Sequence, residues 1–319
     1  MSKPAFWKNE KRYCDLKSYW RNRFGCTVHK LQIDAGFTCP NRDGLVATGG
    51  CIYCDGRGSR LRQAGPLPSV AEQIRSGKEL YRNLRGAAKF VAYFQTFTNT
   101  YAPLDRLKAL YDEALAQEDV IGLSVGTRPD CVPDEVLDLL ASYARTKHVW
   151  LELGLQSIHA RTLALINRGH GPEAFRDAAR RAAARGLLVC VHLIVGLPGE
   201  TREDVLATAR AVADLPIGGV KFHCLLALRG TRLGEMYERG EVRLWRREEY
   251  AASVCDVLER LSPEVVIQRL TADGYRDIYL APDWAVNKLQ VLNAIDREMA
   301  RRDTWQGRLW KSGGGEGKE

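Results

Sequence analysis

The sequence has no apolar run that approaches the roughly 18 residues needed to cross a membrane. Its first residues, Met1 to Lys11, are polar and basic and carry no apolar segment typical of a secretory signal. We therefore expect no membrane contact and a location in the reducing cytoplasm. In that compartment the nine cysteines are expected to be thiols or metal ligands and not disulfides.

Acidic residues are the scarcer charged class, with 39 Asp and Glu against 47 Lys and Arg, which gives a net charge of +8. This excess is compatible with an RNA partner and equally with an arginine-rich surface. The composition does not indicate an oligomeric state. The arginines form three groups along the chain: Arg57, Arg60 and Arg62; Arg176, Arg180, Arg181 and Arg185; and Arg243, Arg246 and Arg247.

A fourth cysteine is missing from the segment in which three others cluster. Eleven residues separate Cys39 from Cys51, and two separate Cys51 from Cys54. A redox pair of the Cys-x-x-Cys type would have no use for Cys39. Three thiolates can instead hold three irons of a cubic [4Fe–4S] cluster and leave the fourth iron open for a reacting ligand.

A structural zinc ion is the alternative for these cysteines, and it needs a fourth ligand. Cys14, Cys26 or His29 could supply it. Spacing alone does not separate zinc from a cluster. The surroundings favour the cluster, because glycines allow the loop to wrap it and an aromatic side chain stands between the last two cysteines. These residues are Gly49, Gly50, Gly56 and Tyr53.

Short apolar runs alternate with amphipathic helical stretches along most of the chain. This alternation predicts an α/β fold with a parallel sheet, either an open doubly wound sheet or a complete or partial β/α barrel. Polar and glycine-rich segments follow each predicted strand, and in a barrel these positions share one face. The predicted strands are 29–34, 89–94, 120–125, 148–153, 187–195, 219–226 and 265–270.

Several of these segments together resemble the radical SAM superfamily, whose members use S-adenosylmethionine (SAM). The resemblance is to the YhcC/YtqA-type group, which is related to the Elongator catalytic subunit and the oxygen-independent coproporphyrinogen oxidases. It covers about residues 19–307. The segments that carry it are Phe37–Gly44, Gly49–Cys54, Tyr93–Gln95, Gly126–Asp130, Glu152–Ser157, Asn167–His170 and Gly196–Thr201.

The resemblance implies a partial (β/α)6 TIM-like radical SAM barrel with a C-terminal extension. We expect the barrel to span residues 19–270, after an N-terminal extension of residues 1–18. A helical extension would follow over residues 271–310, and residues 311–319 are expected to be a disordered tail because they are rich in glycine and charge.

The resemblance also implies the cofactors, a [4Fe–4S] cluster and SAM, and a role for individual residues. Cys39, Cys51 and Cys54 would ligate the cluster. SAM would be cleaved there by one electron to give a 5′-deoxyadenosyl radical. The residues implied as SAM contacts are Tyr53 and Val195 with Gly196 at the adenine, Glu152 and Gln156 at the ribose and methionine sides, Arg168 at the carboxylate, and Gln95 near the amine.

Two features depart from the usual family pattern. The first cysteine gap is long, as in the Elongator-like branch, and so it supports that subgroup. Most relatives carry Gly-Gly-Glu after the second strand, where this chain has Tyr93-Phe94-Gln95. Gln95 cannot supply the negative charge of that glutamate, so its role toward the SAM amine is open.

The substrate implied by the resemblance is tRNA, with a wobble-uridine side chain as the reacting group. The partners would then be tRNA and an electron donor, either a reductase or a flavodoxin or ferredoxin. A small-molecule substrate, as in the coproporphyrinogen-oxidase relatives, is the alternative. A zinc-stabilised RNA-binding protein without catalysis is the alternative from another functional class.

Three further residues inside predicted strands are of interest. His192 and His223 are most simply interpreted as core histidines, and Lys221 is a candidate for substrate contact.

Overall fold

The computed structural model describes residues 4, 7, 9–58, 66–272 and 276–311. Arg60, Arg62 and all of the predicted tail except Lys311 lie outside these ranges. No helix within them is long and apolar enough to cross a membrane.

Seven strands form one parallel sheet whose spatial order follows the chain. In the described ranges its edge strands do not pair with each other, so the barrel is partial. The α/β partial barrel is thereby confirmed, with a seventh strand beside the sixth. The strands are β1 (Val28–Ile33), β2 (Lys89–Phe94), β3 (Val120–Thr127), β4 (His148–Gln156), β5 (Leu188–Val195), β6 (Gly219–Cys224) and β8 (Val266–Arg269), and a separate antiparallel pair is formed by β7 (Ala227–Leu228) and β9 (Tyr279–Ala281).

Helices alternate with these strands, and several begin at side chains that cap them. Ser69 and Thr201 each form a reciprocal capping box with an acidic residue three positions on. The short helices α1, α5 and α8 were not predicted. The helices are α1 (Leu16–Phe24), α2 (Val70–Arg85), α3 (Leu104–Leu115), α4 (Asp134–Ala144), α5 (Ala160–Leu165), α6 (Pro172–Ala184), α7 (Arg202–Ala213), α8 (Arg232–Glu238), α9 (Arg247–Leu258) and α10 (Lys288–Arg301).

Because successive side chains of a strand point to opposite sides, the sheet has two different faces. The face toward the helices is apolar and forms the main core, as Val191 and Leu193 of β5 and Phe222 of β6 show. The other face lines the lumen of the barrel. Its floor at the amino ends of the strands is apolar as well, where Trp150 and Cys190 pack with Trp7. The functional site is expected above this floor, at the carboxyl ends.

The two ends of the described chain meet beneath the sheet. The side chain of Gln306 accepts a hydrogen bond from the Cys14 amide at 3.0 Å and donates one to the Ser262 carbonyl at 2.6 Å. Helix α10 packs on α9 and buries Ile295 and Met299. The predicted extensions are thus attached to the barrel, and the domain boundaries stay a prediction.

Candidate active site

The three predicted cluster ligands line one cavity of about 190 Å³. Cys39, Cys51 and Cys54 come from the loop after β1, and the same cavity is lined by Gln95 after β2 and by Gln156 at the end of β4. The structure therefore brings strand-end residues together with the cysteines, as the barrel interpretation predicts.

The cysteine loop is held in place by the segment that follows α5. The Ile52 amide donates to the Ile166 carbonyl at 3.1 Å, and the Asn167 side-chain amide donates to the Gly50 carbonyl at 2.8 Å. In return, Asn41 donates to the Asn167 carbonyl at 2.5 Å. Gly50, with φ of 80°, adopts a left-handed conformation that suits glycine. These bonds fix the loop against a part of the chain that is distant in sequence.

Arg168 stands beside the cysteines and is almost fully buried. Its Nη2 donates to the Gly154 carbonyl at 2.6 Å, and its Nη1 lies 3.7 Å from the Cys51 Sγ. Burial opposes the charge of Arg168, but Tyr53 and Cys51 outweigh that effect and raise its pKa. The cavity therefore contains a permanent cation with a planar, hydrogen-bonding fork.

The proposed fourth zinc ligands lie elsewhere. Cys14 packs with Trp7 and Trp150 in the floor of the barrel. Cys26 lies in an apolar cluster just before β1, and the ring of His29 stacks on Tyr81 with a centroid distance of 3.7 Å. The cysteine loop follows the opposite end of β1. A four-ligand zinc site built from these candidates is therefore wrong.

The cysteine cavity contains polar atoms that suit an additional ligand. Among the described residues, Arg168 Nε and Gln156 Oε1 in this cavity are buried without a hydrogen-bond partner. Such atoms are costly unless a ligand or water satisfies them. Burial, with a contribution from Cys51, also raises the pKa of the Cys54 thiol to about 12, so a cationic metal centre is needed to hold it as a thiolate. These features fit an iron–sulfur cluster and a polar cofactor.

A second group of polar residues fills the lumen below the cysteines. We call it the lower polar layer, and it is centred on Glu152, which is completely buried. One carboxylate oxygen accepts from Lys30 and Ser124, and the other from Lys221 and from His192 Nε2, the last at 2.8 Å. Its further members are Tyr93, whose hydroxyl accepts from Lys221 at 2.9 Å, and Gln268, which accepts from Lys30 at 2.7 Å.

The lower polar layer sets the charge state of its members. Burial alone would raise the pKa of Glu152, but Lys221 and Lys30 outweigh it and hold that pKa well below its usual value. Burial lowers the pKa of Lys221 to about 7, against the pull of Glu152. Burial also lowers the pKa of His192 to about 4, so its imidazole is neutral at pH 7.

The other predicted SAM contacts differ in their position relative to the cysteine cavity, and their roles stay predictions. Tyr53 and Gln95 line the cysteine cavity, as does Glu152. The Val195 side chain packs in the core between sheet and helices and does not line the cysteine cavity. Gly196, with φ of 91°, is covered by the ring of Trp245, which a Cβ there would approach to 3.2 Å.

A second cavity of about 270 Å³ adjoins the first. The two share several lining residues, among them Tyr53, Gln156 and His192. The second also contains Ile194, His223 and Arg269, of which only His223 was noted from the sequence. The period-two alternation of β5 and β6 could have indicated them, because it places Ile194 beyond His192 and His223 beyond Lys221 on the lumen face.

Many of the arginines considered for RNA binding are paired with carboxylates. Arg57 forms ion pairs with Asp55 and Asp277. On α6, Arg181 and Arg185 both pair with Asp134. The group before and within α9 is paired in the same way with Glu248 and Glu249. The described arginine groups are therefore mainly neutralised surface.

Comparison with known proteins identifies the family. Residues 41–212 match the radical SAM superfamily, and residues 217–301 match the Radical_SAM C-terminal domain. The chain belongs to the radical SAM superfamily. As a radical SAM enzyme it uses a [4Fe–4S] cluster and SAM. The C-terminal match includes β6 and β8, so the last two strands of the sheet lie in that part of the chain.

The radical SAM relatives include uncharacterised and tRNA-modifying proteins. YtqA of Bacillus subtilis is 41% identical over 95% of this chain and 94% of its own. A tRNA uridine(34) acetyltransferase of Methanocaldococcus infernus is 30% identical over 47% of this chain and 28% of its own. The solved structure of archaeal Elp3 from that organism matches with a TM-score of 0.67 at 19% identity, over 88% of this chain and 64% of that one, which shows a shared fold.

Proposed function

We propose that this radical SAM enzyme cleaves SAM reductively at a [4Fe–4S] cluster held by Cys39, Cys51 and Cys54, and uses the 5′-deoxyadenosyl radical to modify tRNA at a wobble uridine. The observation that carries the first part is the meeting of three cysteines, Arg168 and unpartnered buried polar atoms in one cavity. When bound, the cluster and SAM supply the radical chemistry.

The chain's own residues would bind and orient SAM. Arg168 would pair with its carboxylate, because a guanidinium forms two parallel hydrogen bonds with that group. Gln156 offers the unpartnered Oε1 as an acceptor. Tyr53 would cover the adenine beside the backbone of Val195 and Gly196. Glu152 and Gln95 line the remaining walls, and in this proposal they contribute ribose-side and amine-side contacts.

The tRNA part of the proposal has two supports. The related tRNA uridine(34) acetyltransferase matches this chain over 47% of its length, and the net charge of +8 favours a polyanion. Electrons would come from a reductase, a flavodoxin or a ferredoxin. Because the described arginine groups are mostly paired, we assign the RNA contact to Arg60 and Arg62, next to the cysteine loop.

Anaerobic reconstitution tests the cluster. We expect a brown protein with about four irons per chain that cleaves SAM to 5′-deoxyadenosine when reduced. Cys51→Ser should lose both properties, whereas the matched control Cys131→Ser, outside the cysteine cavity, should keep them. A colourless protein that holds one zinc ion per chain would refute the proposal.

Two measurements test the RNA substrate. The nucleoside profile of tRNA from a strain lacking the protein should miss one modified wobble uridine or accumulate its precursor. In vitro, tRNA affinity should fall with salt, and the double variant Arg60→Ala, Arg62→Ala should flatten that dependence. The control Arg247→Ala removes an arginine that is already paired with Glu248. An unchanged nucleoside profile would favour a small-molecule substrate, which the 270 Å³ cavity could also hold.

A further inference from the structure

Arg42 lies in the cysteine loop, three positions after Cys39. Its half-buried side chain lines the cysteine cavity together with Cys39, Cys51 and Cys54. Its Nη1 donates a long hydrogen bond of 3.3 Å to the Gly49 carbonyl in the same loop. The cavity therefore contains a second guanidinium besides the one that is buried next to Cys51.

Two contacts confine the Arg42 side chain. Its guanidinium carbon lies 5.9 Å from the centroid of the Phe97 ring, which is within the range of a cation–π interaction. Gly50 provides the space on another side, because a Cβ there would lie 2.8 Å from Arg42 Nη1 and 3.1 Å from its Cγ. The charge of Arg42 is thus held between an aromatic ring and the backbone of the cysteine loop.

The backbone of Phe97 is strained where it presents this ring. With φ of 63°, Phe97 adopts a left-handed conformation that is rare for a bulky residue. Its ring packs on Gly58, where a Cβ would lie 2.9 Å from three ring atoms. The next residue is fixed to the start of the cysteine loop, because the Thr98 amide donates to the Thr38 carbonyl at 3.1 Å. Backbone strain that the surrounding structure maintains is typical of functional sites.

The charge of Arg42 is not cancelled by a carboxylate. Asp55, Asp130 and Glu152 each have other cationic partners. Arg42 itself forms no ion pair within the part of the chain that the structure describes. Burial raises the pKa of the Cys54 thiol, whereas the charge of Arg42 acts to lower it. The guanidinium therefore favours negative charge on the cysteine side of the cavity.

We propose that Arg42, held against Phe97, raises the reduction potential of the [4Fe–4S] cluster. An electron that enters the cavity adds one negative charge beside the thiolates, and a fixed guanidinium stabilises that more negative state. The electron would come from the reductase, flavodoxin or ferredoxin of the proposed function, and no bond forms or breaks in this step. This role rests on the cluster of the proposed function and needs neither tRNA nor SAM cleavage.

A redox titration of the reconstituted full chain tests this role, with dithionite as reductant, mediator dyes, no SAM, and detection of the reduced cluster by EPR. At a fixed potential, Arg42→Gln should lower the ratio of reduced to oxidised cluster about tenfold, or about 59 mV for one electron. Arg42→Lys keeps the charge and should recover part of the shift. Phe97→Leu should give a smaller shift in the same direction. The control Arg75→Gln removes an exposed arginine of α2 outside the cavity and should titrate as the wild type does.

Iron content separates a change in potential from a loss of structure. Arg42→Gln should hold about four irons per chain, as the wild type should. If it loses iron, Phe97→Leu decides, and a wild-type potential there would overturn the role of the pair. A wild-type potential in Arg42→Gln at full iron content would do the same, and a reduced salt dependence of its tRNA affinity would then assign Arg42 to RNA. A wild-type chain that holds zinc and no iron would instead refute the proposed function.

Discussion

The lower polar layer and the cysteine cavity above it share one lumen, but they are completed in different ways. In the lower layer both oxygens of Glu152 have partners supplied by the chain. In the cysteine cavity Arg168 Nε and Gln156 Oε1 have none among the described residues. Buried polar groups that are fully satisfied stabilise one arrangement, whereas open ones mark the place of a ligand. The carboxylate at the centre of the lower layer is thus satisfied by the chain itself, whereas the cysteine cavity still offers a donor and an acceptor to a cofactor.

The largest effect that tests this contrast is expected from Glu152→Gln. The change removes the carboxylate that Lys30 and Lys221 both contact, so that Lys221 must give up its proton and Lys30 loses its buried partner, which should cost about 3–5 kcal/mol of the free energy of unfolding. Urea denaturation of the cluster-free protein measures it. The control Glu173→Gln breaks an exposed ion pair with Arg176 and should cost about 1 kcal/mol or less. Equal losses in the two variants would show that the lower polar layer has no structural role.

Arg168→Lys should act mainly on cofactor binding. The variant keeps the positive charge but loses the planar fork, so SAM affinity should fall by about tenfold or more. Calorimetric titration of SAM into the cluster-loaded protein measures it, with the exposed Arg161→Lys as control. Wild-type affinity in Arg168→Lys would remove this residue from the SAM site.

Gly154→Ala tests how tightly the wall of the cysteine cavity is packed. A Cβ at this position would lie 2.6 Å from Arg168 Nη2 and 2.8 Å from Gln156 Nε2. We expect a loss of about 1–3 kcal/mol in the free energy of unfolding, together with weaker SAM binding, because the guanidinium must move. At Gly171 nothing lies within 4 Å of an added Cβ, and Gly171→Ala should cost about 1 kcal/mol or less. Identical behaviour of the two variants would contradict the tight fit.

The smallest effect is a pH dependence confined to acid. The folded state holds the pKa of Glu152 below the usual 4.5, so its stabilisation is complete above that pH and is lost as pH falls toward the folded value. The stability difference between the wild type and Glu152→Gln should therefore be constant above about pH 5 and shrink over the acid range below about pH 4.5. A difference that stays constant over this range would mean that Glu152 is not the titrating group.

The sequence predicted the sheet well because one face of each strand is apolar. The apolar runs at β2 and β5 were placed to within one residue of the observed strands. The family resemblance also predicted the meeting of the cysteines with Arg168. Short helices such as α5 were not predicted, because a segment of six residues shows too little hydrophobic periodicity to be recognised.

The lower polar layer could not be predicted. Its partners lie far apart along the chain, as Lys30 and Glu152 do at a separation of 122 residues. The contact between these two residues depends on the register of the four neighbouring strands β1 to β4, which no local pattern contains. For the same reason Glu152 was predicted as a SAM contact from its motif alone, with no sign of the lysines that surround it.

The hydrogen bonds between the cysteine loop and the segment after α5 join residues that are synthesised at very different times. Asn167 and Gly50 are 117 residues apart, so the cysteines leave the ribosome long before the residues that shape their loop. During synthesis the three thiols therefore precede their own binding site. The loop conformation seen here needs the segment after α5, so the ligands of the metal centre are among the first residues made while the residues that shape their loop come much later.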